Sequence, residues 1–342
     1  MKTLSIIIPS YNTEKFLNKN LPQFLNHEIQ DKLEILIIND GSNDNTEKIA
    51  KKWEQIYQGI IRVISKSNGG HGSVINCGIK EASGKYFKVV DGDDWVNTKG
   101  LVSLLKFLEN SNTDLVVNSY FLCNEQTGKY QKKEFRNVEK KHEYTLDNVI
   151  KKIDYIPLHA WTIKTSILGK NKLWLTEKCF YEDFEYVIYP IPYINTVIFL
   201  DFPVYVYLVG QQVQSVSDKS VLKNANMHMQ IIQDSIKYYE NVKMSISCEK
   251  SEYIYLNILN LIKSHYNIYL RNYLSKGVYD KMLEADKQLF QVSQLFYGDV
   301  GKKYRYIVWI RKNKLYFLIS AVMIKVLKAI MNKRGKNGSR IS

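Results

Sequence analysis

Five short Val/Ile/Leu-rich runs, at residues 4–8, 33–38, 61–64, 86–90 and 115–117, are separated by segments of helical periodicity. This alternation restricts the fold more than any other feature of the chain. Leu101, Leu104, Leu105 and Leu108 recur at i, i+3, i+4 and i+7, and Ile49, Ala50, Trp53, Ile56 and Tyr57 form a second apolar stripe. Continuous apolar strands joined by helices predict an α/β domain: a doubly wound, mostly parallel sheet covered on both faces. Such sheets bind ligands beyond the carboxyl ends of their strands, so the strand ends are where chemistry is sought.

Beyond residue 118 the alternation stops. Tyr120 to Phe135, with Gln126, Thr127 and Gly128 at its centre, reads as a hairpin, and residues 142–215 are mixed and rich in aromatics. From about residue 220 the pattern is helical, with Ile254, Ile258, Leu261 and Ile262 on one face. The expected division is 1–217 for the α/β domain, 218–301 for a helical region and 302–342 for a basic tail. With 45% hydrophobic residues and six prolines in 342, the chain is of folded globular type and long enough for a large domain plus an appendage.

The fourth apolar run ends in VVDGDDWV, which sets Asp91, Asp93 and Asp94 around Gly92. Carboxylates this close repel one another unless a cation or donors compensate, and hard oxygens suit Mg²⁺ or Mn²⁺ with a bound diphosphate. The alternative is a solvated acidic turn that caps the next helix. The second run ends in INDGSNDNT, where Asp40 precedes a glycine turn and a helix start over Asp44 to Glu47. The third is followed by KSNGGHGSVINCG, a loop whose amides, with Lys66, Asn68, Gly69 and His71, are expected to receive phosphates. The first ends in PSYN, with Pro9, Tyr11 and Asn12 at its exit. Four strand ends carrying polar or turn-forming residues on one rim are more than an inert scaffold needs.

In order and approximate spacing, SIIIPSYN, INDGSNDNT, NGGHGSVINCGI and VVDGDDWV resemble the motifs of family 2 glycosyltransferases, which have the nucleotide-sugar-binding GT-A fold. The likeness continues through HAWTIKTSIL and FYEDFEYVIYP to VYVYLVGQQVQSVS, covering about residues 1–217. It implies that Asp91 and Asp93 match the family's metal and nucleotide motif, Asp40 the base contact, and Asp183 of the Glu182, Asp183 pair the catalytic base. Donor binding is thereby expected from Pro9, Tyr11, Asn12, Asp40, Lys66, Asn68, Gly69, His71, Asp91, Gly92 and Asp93. Two departures stand out. Ile75 takes a position where members often carry Arg, leaving Lys66 or His71 to supply the positive charge, and Asn39 replaces a frequent Asp.

Sugar transfer from a nucleoside diphosphate needs a cation for the leaving diphosphate and a carboxylate to take the acceptor proton. Asp183 stands among Phe180, Tyr181, Phe184 and Tyr186, where partial desolvation raises basicity. Its other reading is a helix N-terminal carboxylate. Trp161 and His159, with Asp94, are the expected acceptor side, against a core role for the Trp; His71 reads as a residue near the ligand and not as a base. NGGHGSVIN lacks a Walker lysine after its glycines, and Ile75 interrupts GxGxxG, so neither a P-loop nor a dinucleotide fingerprint is present. The expected activity is inverting, metal-dependent transfer from a UDP-sugar to a glycan or lipid-linked acceptor in bacterial-type surface polysaccharide synthesis. The rival is a catalytically silent nucleotide-sugar-binding or membrane-scaffold protein.

The net charge of +14 is concentrated at one end. Twelve Lys and Arg and no Asp or Glu lie in residues 302–342, leaving +2 for residues 1–301. Leu315, Leu318, Ile319, Val322, Met323, Val326, Leu327 and Ile330 follow helical spacing within that tail. An anionic membrane surface fits better than nucleic acid, with a packed terminal helix as the alternative. The apolar run at 315–324 is about half of what spans a bilayer, and Tyr186–Val209 is interrupted by Pro190, Pro192, Asp201 and Pro203. MKTLSIIIPSYN is too short in its apolar part for a signal peptide, and the four cysteines form no CxxC pair. The expected location is cytoplasmic, peripheral at the inner face of the plasma membrane.

Overall fold

Strands β1 (Leu4–Ser10), β2 (Leu33–Asp40), β3 (Ile61–Lys66) and β4 (Tyr86–Val89) lie side by side in the order β3-β2-β1-β4, all parallel. The structure is a computed structural model and describes residues 2–153, 155–210, 218–323 and 326. Helices α1 (Glu14–Asn20), α2 (Thr46–Ile56) and α3 (His71–Glu81) make the crossovers. The chain steps outward from β1 to β3 and then returns to place β4 on the other side of β1. The carboxyl ends of β1 and β4 therefore flank the reversal of strand order, where a doubly wound sheet opens a crevice.

β1, β2 and β4 are covered on both faces, which is why they read as mainly apolar runs, whereas β3, at the end of the strand order, exposes Arg62 and Ser65. Ile6 and Ile8 share a buried cluster with Leu17, Ala50, Leu101 and Leu105, contributed by α1, α2 and α4 (Thr98–Asn110). Ile7 points the other way, onto α3 at Gly78, where an added Cβ would lie 2.8 Å from the Ile7 side chain.

Past β4 the sheet becomes mixed. It continues through β9 (Trp161–Lys164), β6 (Leu115–Asn124) and β10 (Thr196–Val209) to β5 (Trp95–Val96), with β7 (Tyr130–Lys133) on β6 and β8 (Glu143–Thr145) on β10, ten strands in all. β9 is antiparallel to both neighbours, so the parallel pattern holds for the first four strands and for β6 with β10. The hairpin expected over 120–135 is β6 with β7, turned by Asn124, whose side chain accepts from Thr127 N, and by Gly128 at φ +64°. The apolar stretch 186–209 is the short helix Asp183–Ile188, a turn and β10, whose register shifts around Pro203. No helix of the described residues is long and apolar enough to cross a membrane.

The chain divides into two compact units, Met1–Gln212 with Ser245–Tyr253, and Val213–Met244 with Ile254–Ser342. In the second, Ile231 and Ile232 of Ala225–Val242, Ile254, Ile258 and Ile262 of Cys248–Arg271, and Phe296 of Gln294–Lys303 are buried. Ile307 and Ile310 of the helix Arg305–Lys312 are fully enclosed, and Arg311 forms a 2.7 Å ion pair with Asp286 while its guanidinium lies 3.7 Å over the Tyr297 ring. Packing thus runs continuously past residue 302, and no separate unit begins there. Lys325, Lys328, Lys333, Arg334, Lys336 and Arg340 of the tail, and Gln211–Ser217 of the motif region, lie outside the described residues.

In this helical unit the rings of His228 and His265 stack at 5.1 Å, with His228 Nε2 3.0 Å from Ser264 Oγ. Burial pushes His228 down to about 4, and burial with the field of His228 holds His265 well below its usual value. Both are neutral in the fold and protonate on unfolding, so stability is retained above pH ~6.5 and lost as pH falls below it. By pH 5 the pair should cost on the order of 2–4 kcal/mol. Urea unfolding of the full chain at pH 7.5 and 5 checks this against the His228→Gln/His265→Gln double variant, whose acid sensitivity should be smaller by that amount. Equal acid sensitivity in the two proteins would show that the pair does not titrate on unfolding.

Candidate active site

The four motif-bearing strand ends converge at the crevice, and each is tied to the next. At the exit of β1, Asn12 takes φ 54° and its side chain accepts from Asn43 N, while Asn12 N donates to Ser42 Oγ. Pro9 is buried in β1 and Tyr11 is half exposed. Gly92 of the acidic turn fits against the same exit, where a Cβ would lie 2.6 Å from Pro9 O.

Asp40, at the end of β2, is buried with its carboxylate turned onto the neighbouring loop. It accepts from Lys66 Nζ at 2.8 Å, Gly69 N at 2.9 Å and Gly70 N at 2.8 Å, and its carbonyl accepts from Asn68 Nδ2. Lys66 Nζ also donates to Ser67 O and Ser73 Oγ. The glycine amides and the Lys66 ammonium expected to cradle phosphates are therefore committed to Asp40. The loop is a preformed scaffold, with Gly70 at φ +82°.

What the scaffold presents is His71, the first residue of α3. Its Nε2 lies 2.9 Å from Asp91 Oδ1, its Nδ1 lies 2.7 Å from Glu182 Oε1, and Asp183 Oδ1 is 3.7 Å from Nδ1. Burial works against a charged ring here, but the hydrogen bonds to Asp91 and Glu182 and the fields of Asp91 and Asp183 prevail and hold its pKa well above the usual value. His71 is an imidazolium that joins the acidic turn to the Glu182, Asp183 segment. Sequence placed it near the ligand but gave it no such role. Ile75, one turn further along α3, is fully enclosed and leaves no opening for a cation from that position.

The Glu182, Asp183 segment is fixed by its own contacts. Gly72 allows the chain at Thr176 to pass, since a Cβ there would lie 2.4 Å from Thr176 O, and Lys178 N donates to Gly69 O. Buried Glu185 accepts from Thr176 N and from the Tyr189 hydroxyl. Tyr181 adopts φ 78°, a strained conformation for a bulky residue, immediately before the acidic pair. Glu182 stands at the N-cap but turns to His71 instead of to the helix amides. Asp183 begins the helix with 57% of its side chain exposed, and desolvation, opposed by His71 and reinforced by Glu182 and Asp91, pushes it up to about 7.

Asp94 differs from its neighbours. It is buried, accepting from Leu208 N at 2.7 Å and from the Tyr205 hydroxyl at 2.6 Å, and burial with the repulsion of Asp91 and Asp93 raises its pKa well above the usual value. It latches the turn to β10 and is enclosed away from any acceptor. Tyr205, which the sequence reading passed over, also takes the Asp91 amide at 3.2 Å; its alternation with Tyr207 along VYVYLV was the available signal. Trp161 is a correction: it is fully buried, its indole donates to Ile156 O, and its faces are covered by protein. His159 is half-buried among Tyr120, Tyr205 and Tyr207, and burial with the nearby Lys88 ammonium lowers it to about 3. Lys88, fully buried with Nζ on the carbonyls of His159 and Trp161, is lowered to about 7 by burial.

Asp91, Glu182 and Asp183 bring more carboxylate to this centre than one imidazolium neutralises, and Glu182 Oε2 is buried with no hydrogen-bond partner. Hard oxygen donors in excess fit Mg²⁺ or Mn²⁺. Among the described residues, His71, Glu182 and Asp183 each bring one ligand atom within 4.8 Å of the others. Both ring nitrogens of His71 face carboxylates, so the oxygens are the donors available.

The Glycosyl transferase family 2 model matches residues 5–170, the stretch that carries β1 through β9 and the first four strand-end motifs. An uncharacterized glycosyltransferase of Mycoplasma genitalium is 37% identical over 124 residues, 35% of this chain and 42% of that protein. The poly(ribitol-phosphate) β-N-acetylglucosaminyltransferase TarP of Staphylococcus aureus is 30% identical over 178 residues, 51% of this chain and 52% of its own. The chain thus spans about half or less of these curated relatives. The structure of residues 1–349 of S. aureus TarS in complex with UDP-GlcNAc superposes with a TM-score of 0.67 at 18% identity, covering 94% of this chain and 90% of that one, a likeness of fold. By its ordered motifs, by the parallel strands that carry them and by the family-model match, residues 5–170 of the chain form a glycosyl transferase family 2 domain.

Proposed function

We propose that the chain is an inverting glycosyltransferase that moves a sugar from a nucleoside diphosphate, a UDP-sugar first among candidates, to a glycan or lipid-linked acceptor of a bacterial surface polymer. The observation that carries this reading is the junction at His71, which holds the acidic turn and the Glu182, Asp183 pair on one rim. The names of TarP and of the TarS complex point to the same donor and polymer class.

Asp91 and Asp93 would hold Mg²⁺ or Mn²⁺, which when bound supplies charge stabilisation for the leaving diphosphate. His71 keeps Asp91 in place and holds Glu182 so that Asp183 faces the crevice. Asp183, raised to about 7, takes the proton of the acceptor hydroxyl as that oxygen attacks the anomeric carbon from the face opposite the leaving group. One displacement of this kind inverts the configuration. Phe180 and Tyr155, exposed by 45% and 40%, replace Trp161 as the aromatic surfaces for an acceptor sugar. A lipid-linked acceptor places the reaction at the inner face of the plasma membrane, where cytoplasmic nucleotide sugars are available.

A mass-spectrometric screen of nucleotide-sugar donors, with and without Mn²⁺, tests the reading. Turnover of one donor, dependent on the cation, is the expected result. Saturable donor binding without turnover in the presence of glycan and lipid-linked acceptors would make the chain a nucleotide-sugar-binding protein instead.

A further inference from the structure

The described residues between 305 and 326 pack into the helical unit by one face only. Ile307, Ile310, Phe317 and Ala321 are 0–2% exposed and anchor it, as does the Arg311–Asp286 ion pair. On the other face Trp309, Leu315, Ile319, Val322, Met323 and Val326 are exposed by 46–61%. Apolar exposure on a monomer is normally scattered in single residues, and a continuous stripe of this kind marks an interaction surface.

The chemistry around the stripe selects the partner. Lys303, Arg305, Lys312 and Lys314 are exposed beside it, Lys302 is paired with Asp299, and no Asp or Glu occurs from residue 302 to 342. A second copy of the chain would bring the same uncompensated positive charge face to face. A surface that is apolar within and anionic at its boundary satisfies both features, and Trp is favoured at such boundaries. In the sequence, Lys325 and Lys328 interrupt the apolar run well short of the roughly 20 residues that a span needs.

We infer that the face bearing Trp309, Leu315, Ile319, Val322, Met323 and Val326 docks onto an anionic lipid bilayer. The apolar side chains enter the headgroup and acyl boundary, and the basic residues beside them face anionic headgroups. Each such residue near the leaflet contributes about a fivefold gain in binding, screened over about 8 Å at physiological salt.

Co-sedimentation of the full chain with vesicles of phosphatidylcholine alone, and with 30% phosphatidylglycerol, tests the docking across a salt series from about 0.05 to 0.5 M. Binding to the anionic vesicles should exceed that to the neutral ones at least tenfold and fall with salt. Ile319→Glu/Val322→Glu, which alters only exposed positions, should lower it at least tenfold and leave donor binding unchanged. Lys312→Glu/Lys314→Glu should lower it by a similar factor at low salt only. Equal binding to both lipids, no binding, or a concentration-dependent oligomer that the Ile319→Glu/Val322→Glu chain no longer forms would each overturn the inference. Donor turnover is read separately, so failure here leaves the glycosyltransferase reading standing.

Discussion

Replacing Asp183 with Asn should leave nucleotide binding within about twofold and lower sugar transfer by about 10² to 10⁴, the usual share of general-base catalysis. The carboxylate is half exposed at the start of a helix, at 3.7 Å from the His71 ring, and its pKa is raised to about 7, so near neutral pH it is a competent proton acceptor. The amide keeps the size and loses the basicity. Glu182→Gln should behave differently: it loses the charge held 2.7 Å from His71, weakening the junction, so donor affinity and turnover fall together. Calorimetry with the nucleoside diphosphate beside initial-rate measurements separates the two. Wild-type turnover in Asp183→Asn would make the residue a helix-start carboxylate and move the search for the base to Glu182.

Asp93→Ala should abolish cation-dependent donor binding, a loss of at least about a hundredfold, because a direct carboxylate to the cation is worth several kcal/mol. The neighbouring Asp94 provides the contrast. Asp94→Asn removes a buried group that ties the turn to Leu208 N and Tyr205, so it should lower the unfolding midpoint while the remaining folded protein still responds to Mn²⁺. Titration of nucleoside diphosphate with and without Mn²⁺, together with urea unfolding, distinguishes the cases. Unchanged Mn²⁺-dependent affinity in Asp93→Ala would remove Asp93 from the cation site.

The parallel strands were legible because their apolar runs are largely buried, and the structure extends the first three by two residues and β6 by seven, while β4 ends one residue early. β9 and the mixed half of the sheet were not, since WTIK is four residues long and its neighbours in space lie more than forty residues away in sequence. The site was legible as a set of strand ends, yet its wiring was not. His71 reaches Glu182 across 111 residues, a pairing that no local spacing encodes. Asp40 was expected to contact the nucleotide base, and only the fold shows both its oxygens satisfied by the next loop. Trp161 misled because aromatic character is shared by sugar-binding walls and by cores, and burial decides between them. The break expected at residue 302 followed charge, whereas packing followed Ile307, Ile310 and Arg311.

The enclosure of Ile75 bears on how such a site changes through descent. An arginine at that position would enclose a guanidinium one helical turn from an imidazolium held by Asp91 and Glu182, at a cost of several kcal/mol. Removing His71 first would strand Glu182, whose second oxygen already has no partner. Neither exchange is neutral alone, so a variant of this chain that carries only one of them meets a stability barrier. Moving the positive charge of this site from position 71 to position 75 must therefore change 71, 75 and 182 as one block.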